Sequence, residues 1–589
     1  MESIKERIRV CGENLRLWGL PKTKPNAEEI KLLQKKLEIL NSEVVTEESR
    51  AEFLEVSKKL DELLMKQEIF WAQRSRVSWL QHEDKNTKFF HAKASQRRRS
   101  NHIQSIKDRD GNWVEEIEDI VGVATNYFDS LFNAGTCSQI EDCLNTVMSK
   151  VTPDMQQMLS SEFTADEIKI AMFQMGPTKA PGPDGMNALF YQKFWHVVGD
   201  SVITAVMDYL HMSCMAPDIN HTNIVLIPKV KQPEKMSDFR PISLCNVIYK
   251  IISKVLANRL KQILPRVISP TQNAFVPSRL ITDNVLVVYE LLHTMHSRKK
   301  GKKGSLALKL DISKAYDRVE WPFLKGIMTR LGFLEVWINW VMGCVTTPSF
   351  SVLINGKPFG NIMPSRGIRQ GDPLSPYLFL LCVEGFNSLL FRAEMEGRIK
   401  GVSICRRAPS VTNLMFADDS ILFCQATLGE VEVINEVLRT YANASGQCIN
   451  MEKCSVFFSS NTQASHRAGI VSVLGVKELE RFETYSGLPT LVGRAKYQTF
   501  SYLKDRIWKK LQGWKGCLLS KAGKEVLIKA VTQAIPTYAM GVFQLPVKLC
   551  DELNAFCAKF WWDKWGVKGR SIGRVGPLLL NQKRRWYGI

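Results

Sequence analysis

Three acidic residues have the types and spacing for chemistry. Asp311 closes the apolar run Leu306-Ala-Leu-Lys-Leu, and Asp418 and Asp419 stand side by side in Leu414-Met-Phe-Ala-Asp-Asp-Ser-Ile-Leu-Phe423. Apolar residues flank the pair on both sides, a pattern that predicts strand, turn and strand with the acids at the tip. Two adjacent carboxylates repel each other, so the pair is a poor choice for stability alone. A divalent cation removes that objection. Mg²⁺ takes oxygen ligands and uses one or two carboxylates together with substrate phosphates. Two such ions, ~3.5–4 Å apart, activate an attacking hydroxyl and stabilise a leaving phosphate oxygen. An isolated Asp-Asp is equally an ordinary solvated turn, where such residues collect, so the surrounding sequence has to decide.

The elements that must position these acids are legible in the periodicity. Leu306–Asp311 reads as a strand, preceded by the charged loop Arg298-Lys-Lys-Gly-Lys-Lys-Gly304. Ile224-Val-Leu-Ile-Pro-Lys229 is a short buried-strand candidate, and residues 241–264 read as a long helix. Lys179-Ala-Pro-Gly-Pro-Asp-Gly185 is a Pro/Gly loop ahead of an aromatic helix from Phe190 to Trp195. Residues 104–113 predict a hairpin with Asp110-Gly111 as its turn. In residues 26–75, Ile30, Leu33, Leu37, Leu40, Leu54, Leu60, Leu63 and Leu64 recur among Glu and Lys, which predicts a helical hairpin or coiled segment. Beyond residue 490, the segments around Trp508 and Trp514 and the stretch 521–535 read as helices.

Composition narrows the class. The 589 residues carry 79 Lys and Arg against 59 Asp and Glu, a net charge of +20, which suits a polyanion such as nucleic acid or an anionic membrane face. Basic and aromatic residues interleave in Ser75-Arg-Val-Ser-Trp-Leu80, Asp84-Lys-Asn-Thr-Lys-Phe-Phe-His91 and Gln96-Arg-Arg-Arg-Ser-Asn-His102. That pattern fits phosphate neutralisation with base stacking, and equally a solvated basic face over packed aromatics. The 14 cysteines form no C-x-x-C pair, which argues against a zinc ribbon and against a small secreted disulfide scaffold. No N-terminal signal stretch and no run of ~18 apolar residues is present, so no membrane association is expected.

Read together, the blocks resemble a reverse transcriptase, specifically that of plant LINE-type (non-LTR) retrotransposons. They are Phe239-Arg-Pro-Ile-Ser-Leu-Cys-Asn-Val-Ile-Tyr-Lys250, Leu310-Asp-Ile-Ser-Lys-Ala-Tyr-Asp-Arg-Val-Glu-Trp321, Arg366-Gly-Ile-Arg-Gln-Gly-Asp-Pro-Leu-Ser-Pro376 and Phe416-Ala-Asp-Asp419. Their order matches the family, as does the separation of the first acid from the pair (residue 311 to residue 418). The similarity covers about residues 70–560 and is densest in 224–490. The resemblance implies an RNA-directed DNA polymerase that transfers a nucleotidyl group from a dNTP to a primer 3′-hydroxyl on an RNA template. Asp311, Asp418 and Asp419 take the metal-ligand positions, for two Mg²⁺ ions or Mn²⁺. Tyr316 takes the aromatic position beneath the sugar that excludes a 2′-hydroxyl. Gln370 and Gly371 match the turn opening the helix that faces template and nucleotide. Lys229 and Arg240 are similar to the residues that grip the triphosphate, and Lys453 matches a lysine near it that can protonate departing pyrophosphate. The implied partners are RNA template, DNA primer and dNTP, with the element RNA held as a ribonucleoprotein. The implied location is intracellular, in cytoplasm and nucleus, with the basic clusters 97–99 and 298–303 as import signals or plain phosphate contacts.

The implied fold is α+β, a right-hand polymerase with a ferredoxin-like palm, fingers and a helical thumb. The expected division is a basic, mainly helical N-terminal extension (1–150), fingers (151–300), palm with interleaved fingers elements (301–490), helical thumb (491–569) and an atypical tail (570–589). The sequence departs from the family in three places. No endonuclease-like block precedes the polymerase. Ser486, in Tyr485-Ser-Gly-Leu-Pro489, stands where the family has an apolar residue of the primer grip. Trp514-Lys-Gly-Cys-Leu-Leu-Ser-Lys-Ala-Gly523, Ala534-Ile-Pro-Thr-Tyr-Ala-Met540 and Phe560-Trp-Trp562 resemble the family's thumb, but the resemblance ends after about Lys568, the expectation being a frameshift or truncation. Two competing readings follow: a catalytically impaired nucleic-acid-binding remnant of such an element, and an intron-encoded reverse transcriptase, which would carry a maturase segment.

Overall fold

The computed structural model describes residues 2–19, 27–42, 46–77, 87–135, 137–212, 215, 217–301, 303–405, 407–480, 482, 484–493, 495–514 and 521–562. The chain divides into two compact units: Met1–Pro21 with Ser100–Leu491, and Lys22–Arg99 with Val492–Ile589. The expected atypical tail and the segments 78–80, 84–86 and 515–520 lie outside the described residues.

The first unit is built on two sheets. In the larger one, the strand Ser305–Leu310 is central because its apolar run is almost wholly buried, with only Lys309 partly open. It pairs antiparallel with Asp419–Gln425 on one side and with Ser455–Phe458 on the other. Asn413–Phe416 closes one edge beside Asp419–Gln425, and the short strand Lys477–Glu478 adds to the other edge, parallel to Ser455–Phe458. Numbered along the chain, the four main strands lie in the order fourth, first, third, second. Helices Trp321–Leu331, Glu335–Thr346 and Ser375–Met395 fill the first crossover, and Leu428–Ser445 fills the second. This is the split β-α-β arrangement that the resemblance implies. Leu306, Leu308 and Leu310 join Phe323, Ile327, Phe379 and Tyr441 in one continuous core.

The smaller sheet has the order Phe239–Cys245, His221–Pro228, Ser349–Ile354, Lys357–Ile362. Helix Ile117–Phe132 buries Ile120, Ala124, Phe128, Leu131 and Phe132, spaced by three and four, and its Phe132 ring meets Phe350 at 5.0 Å. Three sequence expectations change here. The helix expected over 241–264 begins only at Val247, because Phe239-Arg-Pro-Ile-Ser-Leu-Cys245 alternates buried and open residues and pairs with His221–Pro228. Pro241 is tolerated there because that strand is the sheet edge. The strand expected at 224–229 starts earlier, at His221, is buried on one face only, and ends before Lys229. The aromatic helix is interrupted at Phe194, which caps Ala188–Lys193 before Trp195–Met212 starts. The predicted hairpin forms, Ile106–Lys107 against Trp113–Val114, with Gly111 at a φ of 92° in the turn.

The Pro/Gly loop has a reason at Gly182. A Cβ there would lie 2.3 Å from Asn246 Oδ1 and 2.7 Å from Asn246 Cα. Asn246 caps helix Val247–Val267 and its Nδ2 donates to the carbonyls of Asp218 and Ile219, so it cannot retreat. Gly182→Ala is therefore expected to destabilise the protein by about 1–3 kcal/mol, read as a lowered urea midpoint at unchanged slope. An unchanged midpoint would show that the loop has room.

In the second unit, helices Ala27–Ser42 and Glu47–Ser75 form the predicted pair, the latter opened by a capping box between Thr46 and Ser49. Helix Thr87–Asn101 carries the basic run: Arg97, Arg98 and Arg99 are exposed. Phe89 and Phe90 are buried, so these two rings pack inward and are not a stacking surface for bases. Helices Lys496–Trp514 and Val547–Trp561 pack together through Trp508 on Phe556 and Trp514 on Phe560. The helix predicted over 521–535 forms, with a π-helical turn at Ile528–Thr532, and helical structure runs on to Met540. The described cysteines are free thiols, and no helix among the described residues is long and apolar enough to cross a membrane.

Candidate active site

The sheet register brings the three carboxylates together. Ser420 and Leu310 make the last rung of their ladder, so Asp419 and Asp311, the next residue on each side, leave its end together. Asp418 lies in the two-residue turn between Asn413–Phe416 and Asp419–Gln425, a turn that Ala417 makes at a φ of 55°. All three line one open cleft, with Lys309, Lys453 and Ser455.

Asp311 and Asp419 have close neighbours. The Asp311 backbone N–H donates to Cys454 Sγ at 3.4 Å and its carbonyl accepts from Asn450 N–H at 2.9 Å, which locks the residue to the 450–454 turn. Asp311 Oδ2 lies 3.9 Å from Lys453 Nζ, and Asp419 Oδ1 lies 3.7 Å from Lys309 Nζ. Ser486 Oγ donates to Asp419 Oδ2 at 3.5 Å from the tip of the hairpin Thr484–Tyr485/Leu488–Pro489, where Ser486 sits at a φ of 48°. Burial pushes the Asp419 carboxyl above its ordinary range, the nearby Lys309 opposes that, and the Asp418 charge adds to it. As placed, no three His, Cys, Asp or Glu side chains among the described residues converge closely enough to hold a metal ion. Asp311 and Asp419 point instead at lysines. The donor set still suits a hard divalent cation: three carboxylates, all oxygen, at one end of a rigid sheet.

The remaining expected residues lie around this point. The Tyr316 ring stacks on Phe379 at 4.8 Å, and burial pushes its hydroxyl pKa up, with the Asp418 charge contributing. Gln370 accepts a backbone hydrogen bond from Ser243 at 2.8 Å. Gly371 has a φ of 115°, and a Cβ on it would lie 3.0 Å from the Ser243 carbonyl, so only glycine fits easily. Lys229 Nζ donates to the Ser237 carbonyl at 2.8 Å. Burial lowers the Lys229 pKa, and the charges of Lys453 and Arg240 lower it further, which places the three cations in one field. Arg240 is exposed on the edge strand, and Lys453 is exposed beside Asp311.

Two residues that sequence reasoning does not single out belong to the same cluster. Lys314 and Asp317 lie inside the Leu310–Trp321 block, and the one signal was charge in an otherwise small, apolar and aromatic stretch. Lys314 takes a φ of 53°, unusual for a side-chain-bearing residue, and its Nζ approaches the Phe239 carbonyl at 3.5 Å and the Tyr127 ring at 5.6 Å. Burial lowers its pKa from the ordinary 10.5 to about 8; Asp317 opposes this, whereas Lys229 and Arg318 add to it. The unfolded chain holds the proton up to 10.5 and the folded one only to about 8, so stability rises with pH between those values. Lys314→Met is accordingly expected to raise the melting temperature at pH 7, with a gain that shrinks as pH climbs from about 8 toward 10.5. A gain independent of pH would remove Lys314 as its source.

Comparison with known proteins agrees with this geometry. Residues 227–503 match the family described as reverse transcriptase (RNA-dependent DNA polymerase). The span holds every strand of the larger sheet and all three acids. Residues 227–503 form a reverse transcriptase domain of the non-LTR retrotransposon type. The chain is 28% identical over 520 residues to the Transposon TX1 uncharacterized 149 kDa protein of Xenopus laevis, covering 84% of this chain and 38% of that one. It is 26% identical over 322 residues to the Retrovirus-related Pol polyprotein from type-2 retrotransposable element R2DM of Drosophila melanogaster, covering 54% of this chain and 27% of that one. It is 52% identical over 68 residues to an uncharacterized mitochondrial protein of Arabidopsis thaliana, covering 12% of this chain and 56% of that one. The chain thus spans well under half the length of the first two relatives. The domain identity makes the split β-α-β sheet the palm of a polymerase fold, and reverse transcriptases generally use divalent metal ions.

Proposed function

We propose that the chain is the RNA-directed DNA polymerase of a non-LTR retrotransposon, of the LINE type found in plants. It transfers a nucleotidyl group from a dNTP to a primer 3′-hydroxyl along an RNA template, and works with the element RNA as a ribonucleoprotein in cytoplasm and nucleus. The observation that carries this reading is the ladder from whose end Asp311 and Asp419 leave together, with Asp418 in the adjoining turn, inside a reverse transcriptase domain. The match to an Arabidopsis protein supports the plant affinity.

In this reading Asp311, Asp418 and Asp419 would hold two Mg²⁺ ions, which would supply positive charge at the reacting oxygens. Lys309 and Lys453, 3.7 Å and 3.9 Å from the carboxylates of Asp419 and Asp311, offset part of their charge. Lys229, Arg240 and Lys453 bind the triphosphate, and Arg240 can do so with two parallel hydrogen bonds. Lys453 is placed to give a proton to pyrophosphate. Tyr316, braced by Phe379, excludes a 2′-hydroxyl by its bulk. Gln370 and Gly371 form the turn that opens the helix facing template and nucleotide, and bind the nucleotide there. Residues 151–300 act as fingers, 301–490 as palm with interleaved fingers elements and 491–569 as thumb, after the basic extension 1–150.

Primer extension tests the reading: poly(rA) template, oligo(dT) primer, Mg²⁺ and dTTP, with the parent set against an Asp418→Asn, Asp419→Asn double variant. Extension by the parent alone supports it. RNA binding without extension by either would replace it with the reading of a nucleic-acid-binding remnant.

A further inference from the structure

Asp317 lies where the segment after Asp311 crosses the 366–371 segment. Two backbone hydrogen bonds lace this crossing, Gly367 N–H to Val319 at 2.7 Å and Ile368 N–H to Tyr316 at 2.9 Å, and Ser243 N–H of the strand Phe239–Cys245 ties down Gln370 at 2.8 Å. A Cβ on Gly367 would lie 2.7 Å from the Asp317 carbonyl, so the two segments touch backbone to backbone. The Asp317 side chain is 2% exposed. Its Oδ1 accepts from Gln370 Nε2 at 3.1 Å, and its Oδ2 has no hydrogen-bond partner among the described residues.

A half-satisfied buried carboxyl is an expensive group for a core. Burial pushes its pKa from 3.8 to about 6, against the pull of Lys314, Gln370, Lys229 and Arg318. The geometry uses it as an acceptor, since Gln370 donates to Oδ1, and an ionised carboxylate only accepts hydrogen bonds. An acceptor-only partner fixes the amide of Gln370 with its NH₂ turned inward and its carbonyl oxygen outward. An Asn at 317 could pair with either face of that amide.

We propose that Asp317 is a positioning residue that holds the Gln370 amide in a single orientation, so that Gln370 presents its carbonyl oxygen to the nucleotide and template. This rests on the reading of Gln370 as a residue that faces them. Asp317 touches no substrate and acts through Gln370 alone.

The test is a double-mutant cycle on the full chain: parent, Asp317→Asn, Gln370→Ala and both. Each is loaded with poly(rA) and an oligo(dT) primer ending in a dideoxynucleotide, which blocks chemistry, and its dTTP dissociation constant is measured in Mg²⁺. Asp317→Asn is expected to weaken dTTP binding about tenfold, the worth of one well-placed hydrogen bond. In the Gln370→Ala background the same change should matter less than about twofold, because coupled residues are not additive. The Asp317→Asn protein should also melt no lower than the parent, since it loses a buried charge. Unaltered dTTP binding by Asp317→Asn, or a full further loss on top of Gln370→Ala, would overturn the proposal. Should Asp317→Asn not fold, Asp317→Ala takes its place in the same cycle, with the same expectations. Extension of an unblocked primer by the parent is scored separately. A parent that binds dTTP but never extends refutes the polymerase reading and leaves the cycle to judge Asp317; a parent that binds no dTTP overturns both.

Discussion

The Asp418→Asn, Asp419→Asn variant is expected to extend a primer at least about a thousandfold more slowly than the parent, and to be no less stable. Stabilisation of the reacting oxygens by bound cations amounts to several kcal/mol, and each 1.36 kcal/mol is a factor of about ten in rate. Asn keeps the size of Asp and removes the charge that holds the cation. The stability half of the prediction follows from the fold. Asp419 is a carboxyl whose pKa burial has raised, next to the like charge of Asp418, with one lysine 3.7 Å away as counter-charge. Neutralising both acids removes their mutual repulsion and the burial cost of Asp419 at neutral pH. Single-turnover primer extension and thermal melting measure the two halves. Extension within tenfold of the parent would mean that these acids do not hold the reacting centre. A large loss of stability would mean that they hold the fold.

The second large effect belongs to a buried ion pair behind the Gln370–Gly371 turn. Arg369 and Asp372 lie 3.1 Å apart, with 5% and 4% of their side chains exposed. The guanidinium also donates to Asn220 Oδ1 at 2.5 Å, Thr222 Oγ1 at 3.1 Å and the Cys344 carbonyl at 3.0 Å, and lies over the Tyr249 ring at 4.0 Å. Asp372 accepts from the hydroxyls of Tyr249 and Ser253 and from the Leu374 N–H. The network ties the small sheet, helix Val247–Val267 and the start of helix Ser375–Met395 to the turn that carries Gln370. Asp372→Ala leaves the arginine charge buried without its counter-ion and is expected to destabilise the protein by about 3–5 kcal/mol. The Arg369→Met, Asp372→Leu double variant, which buries no charge, is expected to recover most of that. Chemical denaturation of the three proteins checks both statements. A single variant within about 1 kcal/mol of the parent would show that solvent reaches the pair.

The acids at the centre of the first argument were legible because apolar strands leave charged residues conspicuous. Asp311, Asp418 and Asp419 each interrupt or end such a run, and the blocks around them resemble a known family. The strand–turn–strand at 414–423 and the helices of 26–75 and 521–535 were legible from periodicity, a local property of the chain. The boundary at 239–247 was less so, since Phe239-Arg-Pro-Ile-Ser-Leu-Cys245 becomes a strand through its partner His221–Pro228, which a one-dimensional pattern does not contain. Phe89 and Phe90 show the same limit: next to arginines they suggest base stacking, and only packing shows that they face inward.

By itself, the sequence determined the class of the domain and which strands carry its conspicuous acids. Hydrophobic periodicity and charge are properties of neighbours along the chain. Tertiary structure alone decided that Asp311, Asp418 and Asp419 line one cleft, that Lys314 joins Lys229 in one field, and that Asp317 is buried against Gln370. Those facts come from strand register and crossing segments. A one-residue shift in register turns every side chain to the other face of a sheet, so the contacts between distant residues exist only once the sheet has formed.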